Sequence, residues 1–206
     1  MRRVWTYHDL AQILGQELGV GVVLLGCLPR TEDRQESPMN PATPSPTRLP
    51  IKPRNLVIVL GDQLDAQSTA LQDFDPAQDV VWMAEVAEES THVWSAKQRT
   101  TVFLSAMRHF AQDLRAQGLP IVYTQLDDAD NQSSLALQMT LAIAQLQPEG
   151  LVLTAPGDWR VLQALRTVAA EHQLPLDLRD DTHFFSTVRE FAAHAKGRKQ
   201  LRLEYW

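Results

Sequence analysis

Five short apolar runs, interleaved with stretches of helical periodicity, constrain this chain more than any other feature. They are NLVIVLG at 55–61, DVVWMA at 79–84, PIVYTQL at 120–126, GLVLT at 150–154 and LPLDL at 174–178. The first is β-branched and apolar and ends on glycine, as expected of a strand buried on both faces. The fifth is the weakest. Between the second and third runs, residues 95–117 carry Val102, Phe103, Ala106, Met107, Phe110, Ala111 and Leu114. These recur at i, i+4 and i+8, one helix face doubled by its neighbours. Gly118 supplies a stop and Pro120 prevents continuation. Segments 133–146 and 158–172 repeat the pattern. Such alternation predicts right-handed crossovers and a parallel sheet covered on both faces. The expected fold is α/β, a Rossmann-like three-layer sandwich with a five-stranded parallel sheet, preceded by a disordered N-terminal extension.

That extension is residues 1–54. Six prolines fall between Pro38 and Pro53, a composition that cannot bury a core and reads as an extended linker. Upstream, LLGC resembles a bacterial lipoprotein cleavage box. Asp9, Gln12, Gln16 and Glu17 interrupt the approach to it, and the apolar run at 20–28 is too short for a membrane span. A start at Met39 instead of Met1 gives a short polar leader straight into the first strand, and the intact mass of the native protein decides between them. With 206 residues there is room for one such domain plus a tail. The single cysteine, Cys27, allows no internal disulfide and fits a reducing, cytoplasmic setting. The net charge of -6 speaks against attraction of nucleic acid over the whole surface. The last 18 residues nevertheless crowd Arg189, Lys196, Arg198, Lys199 and Arg202, which charge patterning alone reads equally as a solvated helix face. HExxH, CxxC and Walker A sequences are absent, and His109 in its apolar helix pattern reads as structural.

Parallel sheets of this kind bind ligands at the carboxyl ends of their strands. After the first strand come Gly61, Asp62 and Gln63, where glycine permits close approach to the backbone and the carboxylate and amide suit a polar heterocycle or ribose. The plainer reading is a turn with Asp62 as a cap. After the second come Glu85, Glu88, Glu89 and His92. Carboxylates there suit a ligand with N–H or hydroxyl donors and repel a phosphate, or they simply complement a helix N-terminus. Asp127 and Asp128 follow the third strand. Ala155, Pro156, Gly157 and Asp158 follow the fourth, with Asp158 a candidate N-cap and Trp159 and Arg160 free to stack or neutralise. No GxGxxG is present, and no nucleophile–base pair stands out. The residues alone reach a small-molecule pocket and no reaction.

Read together, VIVLGDQL, MAEVAEE, LSAMRHFAQDL, PGDWRV and EFAAHAKGRKQLRLEY resemble, in order and spacing, the deoxyribodipyrimidine photolyase-related family of iron–sulfur bacterial cryptochromes and (6-4) photolyases. The resemblance covers about residues 55–205. It implies that residues 55–188 are an antenna-binding α/β domain. The antenna would be 6,7-dimethyl-8-ribityllumazine, bound by Gly61, Asp62, Gln63, Glu85, Glu89 and His92. His92 stands where the family leads one to expect tyrosine, and Ala155 where it leads one to expect an acidic residue. Residues 189–206 would be a truncated lead-in to a helical domain carrying FAD, an iron–sulfur cluster and the DNA-binding surface. The implied partners are then the chromophore and a separately encoded FAD-binding domain, with DNA met only through that domain and no membrane. The implied function is antenna binding in a light-driven DNA repair or photoreceptor flavoprotein, not catalytic by itself. The competing expectation is an independent Rossmann-like small-ligand or regulatory domain. A nucleotide hydrolase lacks support, since fold alone supplies no reaction.

Overall fold

The computed structural model describes residues 49–93 and 95–200, all within the unit Pro44–Trp206. The expected disordered extension, apart from its last residues, lies outside the described residues, as do residues 201–206 of the expected lead-in. The strands are β1 (Asn55–Ile58), β2 (Asp79–Ala84), β3 (Ile121–Thr124), β4 (Gly150–Thr154) and β5 (Leu176–Arg179). The helices are α1 (Ala87–Thr91), α2 (Lys97–Ala116), α3 (Leu135–Leu146), α4 (Trp159–Glu171) and α5 (Val188–Ala195), with a 3-10 turn at Thr69–Leu71. All pairings are parallel, in the order β3-β2-β1-β4-β5. This is the expected sandwich with its five-stranded sheet.

Burial follows the strand order. Interior strand β2 is buried at every residue, whereas edge strand β5 is half-exposed. One face of the sheet packs Leu56, Ile58, Val80, Trp82 and Leu153 against Met139 and Ile143 of α3 and Leu165 of α4. The other packs Val59, Val81 and Met83 against Met107, Ala111 and Leu114 of α2. Val57 and Val152 meet Ala70 of the 3-10 turn on a smaller patch.

The expected stripe on α2 is corrected in part. Its buried residues are Ser105, Met107, Ala111 and Leu114, while Val102 and Phe103 are each 40% exposed and Ala106 is exposed. The helix bears on the sheet along one line, so only half of the doubled stripe is covered. Gly118 ends it as expected, with φ at +84° and its N–H donating to Arg115 O at 2.9 Å.

At the amino end of the sheet, buried Asp79 is the organising group. It accepts from Arg54 Nε (3.0 Å), Arg54 Nη2, Asn55 Nδ2 (3.0 Å) and Asp75 N–H (2.9 Å). Burial alone would raise its pKa, but these donors outweigh it and hold the carboxyl below its ordinary value. The network ties the entry of β1 to the entry of β2.

Candidate functional site

A cleft of about 370 Å³ opens at the carboxyl ends of β1 and β2. Its floor is Val59, Leu60 and Gly61 from the end of β1 and Ala84 to Val86 from the end of β2. Phe103, Leu104 and Met107 of α2 make an apolar wall, and Leu135 and Val161 close the far side. The polar lining is Asp62, Glu89, Asp158 and Arg99 with a few hydroxyls. The cleft therefore pairs one greasy wall with an acidic rim, a composition suited to a flat ring bearing hydrogen-bond donors.

Of the six expected site residues, Gly61, Asp62, Glu85 and Glu89 line this cleft, and Gln63 and His92 do not. Asp62 is exposed, and among the described residues its carboxylate has no hydrogen-bond or ion-pair partner. Gln63 turns away and donates from Nε2 to Thr154 O (3.2 Å) and Ala155 O (3.1 Å), stapling the end of β1 to the end of β4. Its Oε1 is buried and has no partner among the described residues. His92 is the exposed C-cap of α1. Asp127 reaches Arg108 Nη2 at 3.6 Å, and Asp128 accepts from Gln125 N–H at 2.7 Å within its own turn.

The carboxylates after β2 differ sharply. Glu85 is 1% exposed and both its oxygens are committed. Oε1 accepts from Arg108 Nε (2.8 Å) and from the Tyr123 hydroxyl, and Oε2 from Arg108 Nη2 (2.9 Å) and Leu126 N–H (2.8 Å). Burial opposes ionisation, yet the bonds from Arg108, Tyr123 and Leu126 prevail and lower its pKa. Burial and donation to Glu85 raise that of Tyr123. Glu85 thus anchors the wall. Among the described residues Glu89 accepts through Oε1 alone, from Arg160 Nη2 at 3.0 Å, which leaves Oε2 facing no partner there. The dipole reading of this cluster also holds, since Glu88 and Glu89 occupy the first turn of α1.

Asp158 is the N-cap foreseen for α4. Its Oδ1 accepts from Arg160 N–H at 2.7 Å, the bond that chiefly lowers its pKa. Trp159 is 68% exposed and does not line the cleft. Sequence reasoning missed Arg108 and Tyr123, which lie 23 and 38 residues from Glu85, and it assigned Phe103 to the core. Among the described residues, no group of three or more His, Cys, Asp or Glu side chains is placed to hold a metal. No described helix is long and apolar enough to cross a membrane.

The space beside Gly61 is taken by α2. A Cβ there would lie 2.6 Å from Phe103 Cζ and 2.8 Å from Met107 Sδ. Both are ends of side chains that can turn, and exposed Phe103 has the cleft to turn into. Gly61→Ala should therefore cost about 1–3 kcal/mol and narrow the cleft. Urea unfolding reads the first effect; an unchanged midpoint would show that α2 gives way freely.

Residues 57–206 match the family model described as Deoxyribodipyrimidine photo-lyase-related protein. The chain belongs to this family. Over 151 residues it is also 40% identical to a (6-4) photolyase of Agrobacterium fabrum, an alignment covering 73% of this chain and 30% of that protein. This photolyase-related chain therefore spans under a third of the length of the relative it matches. The matched region contains the whole described sheet apart from the first two residues of β1, and the whole cleft.

Proposed function

We propose that residues 55–188 bind an antenna chromophore, 6,7-dimethyl-8-ribityllumazine, on behalf of a flavin-dependent photolyase or cryptochrome. One observation carries this reading: the cleft sets an apolar wall against two carboxylates, Asp62 and Glu89, that keep acceptor capacity uncommitted. A ribityllumazine carries ring methyls for Phe103, Leu104 and Met107. Its ring N–H and ribityl hydroxyls are donors for the carboxylates. The cleft volume of about 370 Å³ falls within the range usual for small-molecule sites. The bound ring would absorb violet light and pass the energy to FAD. An iron–sulfur cluster takes four thiolates as a rule, and these 206 residues contain one cysteine. FAD, the cluster and the DNA contacts are accordingly assigned to a helical domain other than residues 55–188. Light-driven DNA repair or photoreception belongs to the assembly of the two.

The test is reconstitution of the purified chain with the lumazine, followed by absorbance and fluorescence. Saturable binding with a shifted violet band supports the proposal. Failure to bind lumazine, together with binding of a colourless nucleotide, would overturn it in favour of an independent small-ligand domain.

A further inference from the structure

α1 forms one wall of the cleft, yet none of its residues is buried. Little packing holds it in place. Its ties to the rest of the domain include one backbone bond, Glu88 N–H to Ser133 O at 3.0 Å, and one guanidinium. That guanidinium is Arg160, in the first turn of α4. Nη2 lies 3.0 Å from Glu89 Oε1 and 3.2 Å from Asp158 Oδ2, and Nη1 lies 3.6 Å from Glu88 Oε1. Three carboxylates from two separate elements thus converge on one cation. Without it they would repel one another across the rim.

We propose that Arg160 is a positioning residue of the cleft: it clamps α1 to the start of α4 and fixes Glu89 with one oxygen left for the ligand. The stem of Arg160 is itself held, because Asp158 accepts from both its backbone N–H and its side chain. The planar fork presents its donors to both elements in one fixed geometry, whereas a lysine offers a compact ammonium on a flexible stem. Arg160 does not line the cleft, so its effect on a ligand passes through Glu89.

The inference rests on the lumazine reading for its affinity test, and a second test needs no ligand. In the first, the probe is 6,7-dimethyl-8-ribityllumazine titrated into the wild type, Arg160→Gln, Glu89→Gln and the double variant. Glu89→Gln should weaken binding about tenfold and Arg160→Gln about fivefold. The double variant should stay near the tenfold of Glu89→Gln alone, not the roughly fiftyfold of independent effects. Arg160→Lys should recover only part of the loss. Additive effects would overturn the clamp. The second test follows hydrogen exchange over Ala87–Thr91 in the free protein. Arg160→Gln should speed it about tenfold or more while β1, β2 and β4 keep their protection. Unchanged exchange would overturn the clamp. A wild type that fails to take up lumazine counts against the antenna reading, and the exchange result then decides the clamp alone.

Discussion

Glu85→Ala should destabilise the domain by about 3–5 kcal/mol, the largest loss expected of any single polar substitution here. The carboxylate is fully buried and answers four donors. Its removal strands the Arg108 guanidinium, the Tyr123 hydroxyl and the Leu126 amide at the carboxyl ends of β2 and β3. A domain of this size commonly has about 5–15 kcal/mol in total, so the variant sits close to unfolding. The loss should also depend on pH. The folded-state pKa of Glu85 lies below its ordinary value, so its contribution is complete above the unfolded carboxylate pKa of about 4.3. It then fades as pH falls through the lower folded-state pKa, so the gap between wild type and variant narrows in acid. Urea unfolding at neutral pH and near pH 3 measures both parts. A neutral-pH loss under about 1 kcal/mol would mean that the four bonds are replaced by water at little cost.

Asp62→Asn combined with Glu89→Gln should lower lumazine affinity about a hundredfold while leaving the fold nearly untouched. Each change keeps the side-chain volume and removes one charged acceptor, worth about tenfold apiece. Asp62 has no partner among the described residues to lose. Glu89 gives up one exposed ion pair, a matter of about 1 kcal/mol or less. The same double variant should bind a phosphorylated flavin better than the wild type does, because two like charges at the rim are gone. Retention of lumazine at wild-type affinity would refute the assignment of these carboxylates to the ligand's donors.

The sequence made the sheet legible because burial on both faces leaves a signature that needs no partner to be read. The runs DVVWMA and GLVLT coincide with β2 and β4 residue for residue. LPLDL is shifted two or one residues from β5, where edge exposure weakens the apolar signal. α5 was legible only as a solvated helix face in the basic last 18 residues, and its start went unread although its capping box is written in the chain, with Thr187 and Glu190 exchanging side-chain and backbone bonds. The site was legible only by strand-end position. Nothing in the spacing says that Glu85 is saturated and Glu89 half-free. That distinction is made by Arg108, Tyr123 and Arg160, which reach the cluster from other elements. Phe103 was misplaced for a related reason: its periodicity says that it leaves solvent, not whether it enters a core or a cleft.

The two polar networks stand at opposite ends of β2. Asp79 opens β2, and Glu85 follows its last residue, so they are separated by roughly 20 Å of extended chain. Substitutions that far apart, with no shared partner, contribute independently. The rim around Asp62, Glu89 and Arg160 can therefore drift while the Arg54–Asp79 network goes on tying the entry of β1 to the entry of β2. In evolutionary terms, the preference of the cleft for one ligand or another can change without renegotiating the fold.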